Sequence, residues 1–200
     1  MIWMLLLLIA AGPQDGAALA IFEKAPDWNR FLHDVKAQRE RWIGNAARAS
    51  VPQDLAERME RAAPGLRLLI VAQDWCIDSV NTVPYIARLA ASARIPVRIV
   101  DRAAGEPLMK RYRSKDGRTV TPIVIVVRQD RVIGVWVERP APLQRAFESM
   151  VSDPEARRQF ADRQAWYDKD GGATTMAEIV ALAERGAATP ARRSALAANR

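Results

Sequence analysis

One stretch constrains this chain more than any other: Leu66-Arg-Leu-Leu-Ile-Val-Ala-Gln-Asp-Trp-Cys76-Ile-Asp-Ser79-Val-Asn-Thr-Val-Pro84-Tyr-Ile-Ala-Arg-Leu89. Leu68 to Ala72 is a short, wholly apolar run, the pattern of a buried strand. From Ile77 the spacing turns helical, with Val80, Val83, Ile86, Ala87 and Leu89 recurring at three to four residues. The only cysteine of the 200 residues, Cys76, falls where strand becomes helix. There its sulfur faces unpaired backbone N–H groups and the positive end of the helix dipole. Those features favour thiolate, the nucleophilic form. Two flanking carboxylates, Asp74 and Asp78, act against it.

Asp-Trp-Cys-x-Asp-Ser after an apolar strand, with Pro84 in the helix that follows, resembles the thioredoxin superfamily. It is most similar to bacterial single-cysteine thioredoxin-like proteins. Ile77 stands where a related motif has Gly, and Ser79 stands where a dithiol pair has its second cysteine. A second signature is Thr121-Pro122 opening the β-branched run Ile123-Val124-Ile125-Val126. In such folds that proline is cis and lies against the reactive cysteine. The resemblance spans residues 64–150. It implies an α/β, thioredoxin-like fold, with a central four-stranded mixed sheet built as βαβ then ββα.

The rest of the chain is expected to add helices at both ends. Residues 1–20 hold an apolar segment, Ile2 to Ala11, too short to span a bilayer. It is a candidate signal-peptide core, with Ala18-Leu19-Ala20 as a fitting cleavage site, or else a short helix docked on the domain. No Lys or Arg precedes it, against the usual signal-peptide pattern. Residues 21–64 form a helical lead-in: one helix capped by Asp27 over residues 28–48, then a second after Val51-Pro52. The core occupies residues 65–151, with a hairpin turning at Gln129-Asp130. Residues 152–186 are expected as two helices, one opened by Pro154 and running to about Tyr167, the other capped by Thr174 or Thr175. Residues 187–200 read as a disordered tail.

Composition narrows the function. Half the residues are hydrophobic, enough for a proper core. The net charge of +7 comes mostly from arginines scattered from Arg30 onward, without a dense block or a base-reading motif, so no nucleic-acid partner is expected. One cysteine excludes an intramolecular disulfide and a Cys-only metal cluster within one chain. The single histidine, His33, reads as a surface or packing residue. No cofactor and no metal site are expected, and oligomeric state is left open.

The leading expectation is a monothiol thiol–disulfide oxidoreductase that forms a mixed disulfide at Cys76. Ser79 cannot close an internal disulfide, so an external thiol must release the adduct. Ser79 is expected to donate to the thiolate or to cap the first helical turn, and Asp78 to shuttle a proton. Trp75, Thr121 and Pro122 are the expected substrate-binding residues, with a protein or low-molecular-weight thiol or disulfide as partner. Asn81 and Thr82 are expected to be exposed on the first turns. Ile70, six residues before the cysteine, is aliphatic where dithiol thioredoxins carry a buried Asp. The alternative is a redox-inactive thioredoxin-fold peptide-binding or scaffold module. A third reading has two chains sharing a cluster through Cys76. The resemblance favours the cytoplasm; a signal peptide at residues 1–20 would instead imply export.

Overall fold

The computed structural model describes residues 13–187. The apolar run at residues 2–11 and the tail at residues 188–200 lie outside the described residues. Four helices lead in: α1 (Pro13–Lys24), α2 (Trp28–Asp34), α3 (Arg39–Arg48) and α4 (Gln53–Ala62). The core follows as β1 (Leu66–Val71), α5 (Ile77–Ser92), β2 (Val97–Val100), α6 (Glu106–Arg111), β3 (Ile123–Arg128), β4 (Arg131–Val137) and α7 (Ala141–Ser149). Three helices close it: α8 (Pro154–Ala161), α9 (Arg163–Asp170) and α10 (Ala173–Ala187).

The strands form one mixed sheet in the order β2-β1-β3-β4. β1 runs parallel to β2, with Leu68 opposite Val97, and antiparallel to β3, with Ile70 opposite Val124. β3 and β4 make the hairpin. This is the thioredoxin-like arrangement, with helices added at both ends. The central strands are apolar without alternation because both faces are covered. Leu68, Ile70, Val124 and Val126 face a core completed by α4, α5, α10 and Trp42 of α3. Leu69, Val71, Ile123 and Ile125 face a second core beneath α1 and α6, where Ala18, Phe22, Leu108 and Met109 are buried.

Three helical expectations are corrected. The helix expected over residues 28–48 is two helices, although Asp27 caps the first by accepting from Arg30 N at 2.9 Å. The chain turns at Gln38, which has φ 51°. Asp74 accepts the free N–H groups of Lys36 and Ala37 at 3.1 and 2.9 Å, and Arg39 donates to the carbonyls of His33 and Val35. A tertiary partner has thus replaced the helical bonds. The helix expected from Pro154 to Tyr167 is also two, hinged at Asp162, whose ψ of 28° leaves the helical range. Finally, α10 begins with Asp170 accepting from Thr174 N, while Thr175 is buried, so Asp170 takes the capping role expected of a threonine.

Pro84 lies inside α5 and has no N–H for the Val80 carbonyl four residues earlier. Asn45, buried on α3, donates its Nδ2 to that oxygen at 2.6 Å. The lead-in therefore repairs the helix that carries the cysteine.

Candidate functional site

Cys76 is the N-cap residue of α5, with an extended backbone at φ −76° and ψ 123°. Its carbonyl accepts the first helical bond, from Val80 N at 3.0 Å, and its own N–H donates to Gln73 O at 3.1 Å. It is partly exposed. Sγ donates to the main-chain carbonyl of Thr121 at 3.2 Å. The Thr121–Pro122 peptide bond is cis, and both residues are buried. The two motifs, 45 residues apart, thus meet at one contact. The pair is brought together because β1 and β3 are hydrogen-bonded neighbours: Cys76 follows the end of β1 and Pro122 precedes the start of β3.

The approach to Cys76 is held by the lead-in. Trp42 Nε1 donates to Asp74 O at 2.8 Å, and Gln38 Nε2 to Trp75 O at 2.7 Å. The Trp75 side chain remains 60% exposed, so it is a rim residue and not a packed one. Asp74 is spent on the Lys36 and Ala37 amides rather than on the thiol.

Ser79 is fully buried and accepts from Gln73 N at 3.4 Å. It ties the end of β1 to α5; neither a bond to Cys76 nor a cap on the first turn appears among its hydrogen bonds. Asn81 and Thr82 are buried, against expectation. Thr82 Oγ1 donates to Asp78 O at 2.7 Å, and Asn81 Nδ2 donates to Ile77 O and to Gln164 Oε1. Ile70 is a fully buried core residue beside Val124.

Asp78 is not a solvated carboxylate at a helix start. It is buried, with Oδ1 accepting from the Tyr167 hydroxyl at 2.8 Å and Oδ2 from Arg139 Nη2 at 3.2 Å. Arg139 also donates to Glu138, and Arg118 reaches Glu138 at 3.2 Å. The Arg139 guanidinium lies 4.6 Å from the Phe147 ring centroid and 5.0 Å from that of Phe160. Those rings meet part of a cation that has no hydrogen-bond partner at Nε or Nη1 among the described residues. Burial pushes the Glu138 carboxyl above its ordinary range, with Arg139 and Arg118 opposing. Burial, and then the neighbouring Asp78 charge, push the Tyr167 hydroxyl well up, so it stays a donor.

A family model described as Thioredoxin matches residues 25–152. The chain belongs to this thioredoxin family. Among solved structures, this thioredoxin-family chain is similar to a protein of unknown function from Pseudomonas aeruginosa, at 22% identity and a TM-score of 0.64, covering 84% of this chain and 96% of that one. It is also similar to a scaffold carrying an HIV epitope, at 20% identity and a TM-score of 0.62, covering 83% and 96%. At these identities the likeness is one of fold. No match was found among curated proteins.

Within this thioredoxin-family site the sequence reading missed Arg139, Glu138 and Tyr167. Tyr167 lies beyond the segment the family model matches. One signal pointed to the first two: Glu138-Arg139-Pro140 puts two charges directly between a strand and a helix, where the fold brings the chain back to Pro122. Indeed Glu138 N donates to Pro122 O at 2.8 Å. An open cleft of about 640 Å³ begins at Gln73 and Thr119 and is lined by Arg102, Lys110 and Arg113. Among the described residues no cluster of His, Cys, Asp and Glu could hold a metal, and no helix is long and apolar enough to cross a membrane.

Proposed function

We propose that this protein is a monothiol thiol–disulfide oxidoreductase working through Cys76. The observation that carries the reading is the partly exposed Sγ at the N-cap of α5, 3.2 Å from the Thr121 carbonyl. In the first step the Cys76 thiolate attacks one sulfur of a disulfide. A Cys76–substrate S–S bond forms, the substrate's S–S bond breaks, and the other half leaves as a thiolate that takes a proton. In the second step an external thiolate attacks the substrate sulfur of the mixed disulfide: a disulfide between the external thiol and the substrate forms, the Cys76–substrate S–S bond breaks, and Cys76 leaves as thiolate. No second cysteine of the chain is available for this step, because Cys76 is the only one and position 79 is a serine. Trp75 forms the apolar rim, and Thr121 and Pro122 the backbone edge against which an extended substrate lies. Low-molecular-weight thiols serve as the resolving partner, and the reducing cytoplasm is the compartment that suits this chemistry.

Incubation with oxidised glutathione, followed by mass spectrometry, tests this reading. The expected result is one glutathione adduct on Cys76 that a reducing thiol removes, and no adduct in Cys76→Ser. An unreactive Cys76 in the folded protein sinks it.

The second reading, a peptide-binding module without redox chemistry, draws on Trp75, a large exposed aromatic next in the chain to Cys76, whose Sγ meets Thr121. Under it, a partner peptide binds Cys76→Ser as tightly as it binds the native chain.

A further inference from the structure

Two hollows of opposite charge meet at Gln73, whose carbonyl accepts Cys76 N at 3.1 Å. The smaller, about 280 Å³, is lined by Asp34 and Asp74, and no cation stands in its wall among the described residues. The larger is the cleft of about 640 Å³, which presents Arg102, Lys110 and Arg113. The cleft has a second tie to the thiol. Thr119 in its wall stands two residues before Thr121, whose carbonyl Sγ touches at 3.2 Å. An anion nearing the sulfur is therefore repelled on one side of Gln73 and drawn in on the other.

Close packing puts the cleft there. A Cβ on Gly105 would fall 2.4 Å from Cγ1 of Val71, the last residue of β1, so only glycine lets α6 open hard against that strand end. Met109 of α6 is then buried in the cleft lining, and Lys110 stands beside it at the surface.

The two arginines are cations without carboxylate partners among the described residues. Arg102 donates Nη2 to Thr119 Oγ1 at 2.9 Å. Arg113 donates to the carbonyls of Lys110 and Gly117 at 3.2 and 2.9 Å. All three acceptors are neutral, and both guanidinium groups keep N–H donors to spare. Elsewhere on the surface Arg58, Arg67 and Arg118 each meet a carboxylate within 3.3 Å. The acidic groups of the cleft are already engaged. Asp101 Oδ1 accepts from Ala104 N at 2.9 Å, and Glu106 pairs with Lys110 at 3.1 Å.

We propose that this cleft selects the disulfide that Cys76 attacks: an extended peptide segment with acidic side chains flanking its cysteine, whose carboxylates pair with Arg102 and Arg113. The proposal rests on the oxidoreductase reading and adds the class of its substrate. The exchange itself is unchanged. The Cys76–peptide S–S bond forms, the peptide's own S–S bond breaks, and the other half leaves as a thiolate that takes a proton.

Two symmetric disulfides test this on the full chain: one of the acetylated, amidated peptide Glu-Ala-Cys-Ala-Glu, the other of the same peptide with Gln for each Glu. The readout is the ratio of their rates of adduct formation at Cys76, followed by mass spectrometry. Each rate is divided by that with the neutral thiol N-acetylcysteine amide, so that intrinsic reactivity cancels. A ratio of about tenfold for the acidic peptide is expected, the order of two exposed charge pairs at about threefold each. Arg102→Gln takes away about threefold, and Arg102→Gln/Arg113→Gln takes away the whole. Arg88→Gln removes the same charge from an exposed site farther along α5 and leaves the ratio in place. A ratio near one in the native chain overturns the proposal. So does a ratio that survives the double variant, or one that falls as far in Arg88→Gln, the mark of a general positive field. If the double variant does not fold, Arg102→Gln against Arg88→Gln decides. Calorimetric titration with the S-methylated acidic peptide, which cannot exchange, separates the cleft from the chemistry. Arg102-dependent binding with no adduct from either disulfide defeats the oxidoreductase reading and leaves the acidic cleft standing; adducts at equal rates do the reverse.

Discussion

Asn45 Nδ2 donates to the Val80 carbonyl at 2.6 Å, the oxygen that Pro84 leaves without its helical partner. A side chain from the lead-in thus completes the hydrogen bonding of the cysteine helix, in a place where water has no access.

Asn45→Ala orphans that carbonyl and is expected to cost about 1–3 kcal/mol in urea denaturation. In a Pro84→Ala background residue 84 can supply the missing N–H, and the penalty for Asn45→Ala is expected to shrink. A double-mutant cycle reads the coupling. Equal penalties in both backgrounds would show that Asn45 matters only for its contacts with Asn81 and Arg48.

Gly172 cannot carry a side chain. Its φ is +77°, and a Cβ there would fall 2.2 Å from Cγ of the buried Tyr85. Gly172→Ala is expected to lose about 1–2 kcal/mol from the left-handed backbone and about 1–3 kcal/mol from overpacking. A lowered urea midpoint with an unchanged slope is the outcome to look for.

Arg139 holds Asp78 and Glu138 at once. Arg139→Met keeps much of the apolar stem but leaves buried Asp78 without a cation and Glu138 with Arg118 alone, and about 3–5 kcal/mol of stability should go with it. Asp78→Asn in the same background should restore part of that loss. Thermal unfolding of the single and double variants checks this.

Two carboxylates should give opposite slopes of stability with pH. Burial raises Glu138 above its ordinary 4.5 in the folded chain. The folded state therefore holds this proton more tightly than the unfolded one. The Glu138 contribution is full below 4.5 and is lost as pH rises through the raised folded value. Asp116 is held at about 2, chiefly by its bond from Arg118 and then by Ser114. Its contribution is present above its ordinary 3.8 and is lost as pH falls toward 2. Stability measured from pH 3 to 8 in Glu138→Gln and Asp116→Asn, each against the native chain, separates the two. A difference for Glu138→Gln that does not change with pH would show that the buried carboxylate keeps an ordinary affinity for its proton.

The strands, the cysteine helix and the Cys76–Thr121 contact were legible because their signals are local. An apolar run ending in Asp-Trp-Cys fixes a strand and a cap, and Thr-Pro before β-branched residues fixes the start of the next strand. What escaped depends on partners distant in the chain. The break after Asp34 exists because Asp74, nearly forty residues away, takes the Lys36 and Ala37 amides. Asp78 looked like a helix-start carboxylate because nothing nearby announces Arg139, 61 residues on, or Tyr167, 89 residues on. Tyr167 was visible as an apolar anchor but not as a hydroxyl with an address. Asn81 and Thr82 looked exposed because α5 reads as amphipathic, whereas the helices at both ends of the chain enclose it.

α1 brings a further consequence. The small-residue site Ala18-Leu19-Ala20 lies inside a formed helix, with Ala18 and Phe22 seated against Leu69, Val71, Ile123 and Ile125. Scission after Ala20 would leave only four residues of that helix, too few to hold a turn alone. The sheet face beneath would then meet water as a greasy patch, prone to self-association. Trimmed and untrimmed chains would differ in colloidal behaviour and not merely in length.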